Sequence, residues 1–306
     1  MMKNNIGTNK NSGVLGGAAV AVAYAMWGTL TVFWNLLSQV NSVFILSQRI
    51  IWSMVFMGIY ILVLKKGREI KAIFTDRRSL LLCFVCGVLV TINWGVYIYA
   101  VNSSHVLDAS LGYFIEPVLV GLIGFIVFRE KPGKLERVTF ILAAVGLIYM
   151  IVRTGTFPYL SVIIAGSFAV YGAVKKKLEI SPEASLFMET LCMTLPALIF
   201  AVIAEKRGMG AGGVIGGAKL LLLPACGIVT SFPLLLFNIG VKKIPYYFSG
   251  ILMYINPTLQ FLMGIFYFKE ALDRDRFIAF IIIWIGIVFT VAEKLTEMKK
   301  ARATVS

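Results

Sequence analysis

The sequence predicts an all-α membrane protein of ten transmembrane helices, built as two inverted five-helix repeats. Composition is the first ground: hydrophobic residues make up 59% of the 306-residue chain and charged residues 14%, against roughly 45–50% and 25% in soluble domains. The second is a succession of apolar stretches, each near the roughly 20 residues a helix needs to cross a bilayer. The third is an internal offset. Ile115-Glu116-Pro117 and Ile255-Asn256-Pro257 lie 140 residues apart, and Arg129-Glu130 with Lys269-Glu270 and Gly146 with Gly286 keep that spacing. Tyr24-Ala25-x-Trp27-Gly28 returns as Phe168-Ala169-x-Tyr171-Gly172 at a spacing of 144.

The expected elements run in order. A polar tail, 1–13, leads into spans at 14–34, 43–64, 79–100, 108–128 and 135–152, which form the first repeat, 14–152. A junction near 153–158 precedes spans at 159–175, 184–204, 219–240, 246–268 and 275–293, the second repeat, 159–293. A second tail, 294–306, closes the chain. Five spans per repeat is an odd number, so the second copy enters the membrane upside down and a pseudo-two-fold axis lies in the membrane plane. The basic stretch before the first span, with Ala21-Val22-Ala23, imitates a cleavable signal. The apolar run continues through Trp34, longer than the usual signal core, so a retained first span is expected. The Gly-rich stretch 208–217 is expected to be a flexible link and has no phosphate-binding pattern.

Lys and Arg number 29 against 15 Asp and Glu, a net charge of +14. With the N-terminus in the cytoplasm, 21 of these basic residues fall in cytoplasmic segments, seven outside and one, Arg49, within a span. That asymmetry places both termini in the cytoplasm. The basic balance therefore reads as topology and contact with anionic lipid, and nucleic acid is excluded as the partner. Cys83, Cys86, Cys192 and Cys226 all fall in spans and read as small buried apolar residues. The lone histidine, His105, cannot build a metal site of the usual kind, and Asp108 beside it suits a helix N-terminus. No cofactor or metal is expected.

A duplicated bundle with a proline at matching depth in each half is the pattern of a transporter whose site lies at the midplane. A rise of about 1.5 Å per residue puts Glu116 about 12 Å below the outer boundary and Asn256 about 15 Å above the inner one. The two prolines, Pro117 and Pro257, are expected to break their helices there, freeing the carbonyls of Tyr113 and Met253. A charge at that depth costs roughly 2.5–3.5 kcal/mol, so Glu116 calls for a role. Arg49, about 9 Å below the outer boundary, is near it in depth, as are Asn93 and Trp27 about 20 Å up from the inside. Tyr97 stands one turn from Asn93 on the same face. Glu189, 140 residues after Arg49, completes the candidate set. It lies about 7.5 Å above the inner boundary, so the ion pair to look for is Arg49 with Glu116. Glu130 and Glu270, beside Arg129 and Lys269, read as solvated charges at span ends.

These motifs resemble the RarD group of the EamA branch of drug/metabolite transporters. The resemblance runs from Ala23 to Glu293. It rests on Ala23-Tyr24-Ala25-Met26-Trp27-Gly28, Gln48-Arg49-Ile50-Ile51-Trp52-Ser53, Asn93-Trp94, Ala100-Val101-Asn102 and Ala109-Ser110-Leu111-Gly112-Tyr113-Phe114-Ile115. It continues in Ser167-Phe168-Ala169-x-Tyr171-Gly172, Glu189-Thr190-Leu191, Gly227-Ile228-Val229-Thr230 and Tyr254-Ile255-x-Pro257-Thr258. The resemblance implies ten spans as two inverted repeats, a central cavity lined mainly by spans one, three, four, six, eight and nine, and a permease of the bacterial cytoplasmic membrane. Two positions depart from the group: Gln48 where it commonly has His, and Glu116 where it commonly has Asn. Glu116 either adds a titratable group or is tolerated in a wet cavity.

The expected function is secondary active transport of a small organic solute by alternating access, with proton coupling through Glu116. A non-transporting accessory or sensor protein of the membrane is the alternative. An intramembrane enzyme ranks third, because a nucleophile, base or metal set at one depth is not discernible.

Overall fold

The computed structural model describes residues 10–102, 106–155, 159–269 and 274–303, with side chains omitted at a few positions, Tyr113 among them. Among the described residues the chain is helical throughout, with no strand. Helices α1 (Lys10–Thr29), α2 (Thr31–Asn35), α3 (Ser42–Val63), α4 (Gly67–Thr75), α5 (Arg77–Asn102), α6 (Val106–Ile126) and α7 (Lys134–Thr154) make up the first half. Helices α8 (Tyr159–Lys177), α9 (Pro182–Lys206), α10 (Leu222–Val241), α11 (Tyr246–Met253), α12 (Ile255–Phe266) and α13 (Arg274–Ala303) make up the second. Seven stretches among the described residues are long and apolar enough to cross a membrane. Helices suit this composition because a backbone in hydrocarbon must satisfy its own hydrogen bonds. Large apolar side chains such as Leu62 and Phe266 stay more than three-quarters exposed, as a lipid-facing surface requires.

Starts and stops follow local chemistry. The Asn41 side chain accepts from the amides of Val43 and Phe44 and starts α3, and Ser181 caps α9 with Pro182 in the first turn. Lys10 to Gly13 and residues up to Ala303 are helical, so helix reaches into both expected tails, 1–13 and 294–306. The C-terminal extension is rich in Glu, Lys, Met and Ala, all strong helix formers. Residues 208–217 are not a loose link either. The Glu205 carboxylate accepts from the amides of Ala211 (2.9 Å) and Gly212 (2.6 Å), and Ala211 and Ile215 are buried.

The prolines behave differently from each other. Helix α6 runs through Pro117 without interruption, which corrects the expected break there. One missing donor costs a helix one bond, and packing on its neighbours holds the rest. Around Pro257 the helix does break: α11 ends at Met253, Tyr254 donates to the Ile251 carbonyl three residues back (3.3 Å), and α12 begins at Ile255.

The principal packing pairs are α7 with α13, α3 with α9, α6 with α11, α6 with α8, α1 with α12, α3 with α10, α5 with α9, α1 with α10 and α5 with α8. Small residues allow the close crossings. A Cβ on Gly28 would lie 2.7 Å from Leu259 Cβ, and one on Gly250 would lie 2.8 Å from the Pro117 carbonyl oxygen. Gly286 faces Thr139, whose hydroxyl donates to the Gly286 carbonyl (2.5 Å) and meets the hydroxyl of Thr290 (2.8 Å).

Candidate solute-binding site

Where α1, α2, α3, α5, α6, α8 and α12 converge they leave a cavity of about 110 Å³. Its polar wall is Arg49, Asn93, Glu116, Asn256 and Gln260, and its aromatic wall is Tyr24, Trp27, Trp34, Trp94, Tyr97 and Phe168. A second cavity of about 250 Å³ shares Thr31, Trp34, Arg49 and Tyr97 with the first and continues to Ser38 and Ser42 at the α2–α3 connection. The one charged side chain among these four is Arg49. Its guanidinium carbon sits 4.6 Å from the Trp34 ring centre and 4.2 Å from that of Trp94, and its Nε donates to the Thr230 hydroxyl (3.1 Å). Stacking on two indoles stabilises a cation at this depth.

Glu116 is 6% exposed, and its carboxyl makes no ion pair or hydrogen bond among the described residues. The expected Arg49–Glu116 ion pair is therefore not formed: both side chains line the cavity, but the two tryptophans and Thr230 hold the guanidinium. Asn93 donates to the Ile164 carbonyl (2.7 Å) and ties α5 to α8 at the cavity wall. The Asn256 oxygen accepts from Gln260 (3.0 Å), one turn along α12. Trp27 packs against Tyr24 (5.5 Å between ring centres) and edge-on against Phe168 (5.7 Å).

Six candidates meet at this cavity: Arg49, Asn93, Glu116, Trp27, Tyr97 and Asn256. Glu189 does not. It is 1% exposed and forms an ion pair with Lys175 (2.5 Å), itself 0% exposed, while accepting from Ser185 (2.6 Å) and Tyr171 (3.2 Å). The run Lys175-Lys176-Lys177 reads as a cytoplasmic loop, yet its first member turns into the bundle because a buried carboxylate there needs a partner. Pro117 and Pro257 flank the cavity residues on α6 and α12, and the Tyr113 side chain lies outside the described residues. The lining also differs from the implied set of spans. Helix α3 contributes Arg49 directly, whereas α10 acts from behind through Thr230.

Trp34, Trp94 and Gln260 were not among the expected site residues. Each carried a signal: Trp34 lies two turns beyond Trp27, Trp94 adjoins Asn93, and Gln260 lies one turn beyond Asn256. Tyr24, which lines the first cavity, joins Phe237, Tyr171 and Tyr246 in one buried cluster, each no more than 1% exposed. The Tyr246 hydroxyl there donates to the Ala169 carbonyl (2.6 Å), an approach that Gly172 permits.

The chain matches the model of the EamA-like transporter family twice, over residues 13–152 and 157–292. A protein named RarD from Streptomyces exfoliatus is 35% identical over 281 residues, covering 92% of this chain and 89% of its own. The uncharacterized transporter YojE of Bacillus subtilis is 38% identical over 291 residues, 94% of this chain and 95% of its own. Escherichia coli RarD is 30% identical over 278 residues, 91% and 94%. A solved crystal structure shares the fold with a TM-score of 0.68 at 15% identity, covering 94% of this chain and 99% of that one. Fold, cavity and relatives define a membrane transporter of the drug/metabolite type. The chain belongs to the EamA-like transporter family and, within it, to the RarD group.

Proposed function

We propose that the protein is a secondary active transporter that moves a small organic solute across the bacterial cytoplasmic membrane by alternating access. The observation that carries this reading is the cavity at the convergence of both halves, with Arg49, Asn93 and Glu116 from one and Asn256 and Gln260 from the other. Aromatic walls with a few placed polar groups suit an amphipathic organic molecule.

The reading takes the chain as ten spans in two inverted repeats, α1–α7 and α8–α13, with both termini cytoplasmic. The packing pairs support it. Exchanging α1 with α8, α3 with α9, α5 with α10, α6 with α11–α12 and α7 with α13 maps each principal pair onto another or onto itself. The twofold match to the family model supports the same division. Rocking one repeat against the other around a fixed midplane site is the motion such a plan allows.

Glu116 is the coupling candidate in this scheme, and Arg49 the candidate for a solute carboxylate. A carboxyl buried at the midplane without a partner is costly when ionised, so solute and proton compete for or share it. The test is flux in proteoliposomes with a panel of amphipathic solutes under an imposed pH gradient. Gradient-driven flux that survives unchanged in Glu116→Gln removes the coupling role. Absence of flux across the whole panel in the wild type favours a non-transporting membrane partner.

A further inference from the structure

The segment after α6 makes a contact that span-end charges in water would not make. Arg129 takes a left-handed backbone conformation (φ 52°), and the Glu130 amide donates back to the Gly124 carbonyl (3.1 Å). This turn folds the Glu130 carboxylate onto the N-terminus of α11, where its two oxygens accept from the amides of Tyr246 (2.7 Å) and Tyr247 (2.9 Å). Helix α11 has no local cap, because its N-cap residue is Pro245, so the carboxylate from α6 satisfies donors that would otherwise be orphaned. Lys176 of α8 completes the contact: its ammonium lies 3.6 Å from Glu130 and donates to the carbonyls of Val241 and Ile244. The expectation of a solvated Glu130 paired with Arg129 is thus corrected.

The same turn recurs at the spacing of 140. Lys269 also has a positive φ (55°), and the Phe268 amide donates to the Met263 carbonyl (3.0 Å) as Phe128 does to Ile123 (3.3 Å). The backbone device is therefore a feature of both halves, and its carboxylate contact is defined in the first.

We propose that Glu130 is a gating residue, the latch that holds the inner end of the transporter shut in this conformation. The inference rests on the transport reading above. Glu130 joins α6 of the first repeat to α8 and α11 of the second at the backbone amide of Tyr246, whose side chain lies in the same buried cluster as the cavity-lining Tyr24 and whose hydroxyl donates to the Ala169 carbonyl. The second cavity runs from Arg49 toward Ser38 and Ser42, at the opposite end. Opening the inner end means withdrawing α11 from α6, and that motion must break two charge-assisted bonds and one ion pair together.

The test uses the full chain in nanodiscs with its four cysteines replaced by alanine and spin labels at the exposed Lys131 and Lys243. Wild type gives one short distance by pulsed electron resonance. Glu130→Gln and Glu130→Ala bring in a longer-distance population, shifting the closed-to-open ratio about tenfold, as expected for losing a charge-assisted bond. A purely structural role would not move the second readout. Labelling of Thr31→Cys from the outer side by an impermeant maleimide falls in step as the inner end opens. An unchanged distance distribution in folded Glu130→Ala overturns the latch. If Glu130→Ala does not fold, Lys176→Met decides, with a smaller shift in the same direction expected and no shift overturning the proposal. Wild-type flux is measured in parallel, so failure of the transport reading is seen separately from failure of the latch.

Discussion

Replacing Lys175 by Met isolates the most deeply buried ion pair among the described residues. Lys175 is 0% and Glu189 1% exposed, with the ammonium 2.5 Å from one carboxylate oxygen and also donating to Ser185. Ser185 and Tyr171 donate to the carboxylate, and Asn238 donates to the Tyr171 hydroxyl (3.2 Å), so five polar side chains of α8, α9 and α10 satisfy one another. Removing the lysine leaves an uncompensated buried anion, at a cost of about 3–5 kcal/mol. At about 2–4 °C per kcal/mol, the fall in Tm is on the order of 10 °C. Replacing both partners, Lys175→Met with Glu189→Leu, removes two desolvation costs along with the attraction and returns stability to within about 1 kcal/mol of the wild type. Thermal unfolding of the purified protein in detergent measures all three chains. A single-variant loss under about 1 kcal/mol would mean that Lys175 reaches water like a surface pair, which refutes the reasoning.

Three further outcomes are expected. Gly28→Val drives a side chain into Leu259 and the Asn256 carbonyl where α1 meets α12, costing about 1–3 kcal/mol and lowering Tm; a variant as stable as the wild type would contradict the close crossing. Glu205→Ala strips the acceptor from Ala211 and Gly212, and hydrogen exchange at those two amides quickens about tenfold with little effect elsewhere. The third concerns pH. Burial pushes the Glu69 carboxyl up, but donation from the amide and hydroxyl of Ser181, with Lys66 nearby, outweighs it and holds the group below its ordinary range. A depressed carboxyl stabilises above its unfolded value, about 4.3, and that stabilisation is lost as pH falls through the folded value. Proteolysis of the α4–α9 contact should therefore rise on acidification below about pH 4.3 in the wild type. Glu69→Gln should show no such rise.

Much of this plan is written in the sequence because hydrocarbon is an unforgiving solvent. It forces the spanning backbone into helices, confines most charge to the ends, and leaves any charge at depth in need of a reason. That is why Arg49, Glu116, Asn93 and Asn256 could be gathered at one level by counting residues. Depth is only one coordinate, however. Counting does not say which way a helix is turned about its axis, and Glu189 shows the consequence. It shares the 140-residue spacing with Arg49, yet its helix faces it toward Lys175 and away from the cavity. Trp34 and Trp94 were missed for the same reason, since only their azimuth distinguishes them from aromatics packed between helices. The Glu130 contact was illegible for another. It depends on a single left-handed residue, Arg129, and on the lack of a local cap 116 residues later at Tyr246. Non-local capping leaves no periodic trace.

The two prolines sharpen what the halves share and where they part. A duplicated element would be expected to bend alike in both copies, but α6 runs on past Pro117 while the chain breaks at Tyr254 before Pro257. The polar residues beside them part in the same sense. Asn256 is engaged by Gln260 within its own helix, whereas Glu116 faces the cavity from an unbroken helix and has no side-chain partner among the described residues. A fixed amide on one wall and an unengaged carboxyl on the other make a site whose two walls answer differently to a bound proton. If that asymmetry drives coupling, Glu116→Asn, which gives both walls the same amide, retains solute binding by thermal shift and loses the pH dependence of that binding. Binding that keeps its pH dependence in Glu116→Asn would move the coupling group elsewhere in the protein.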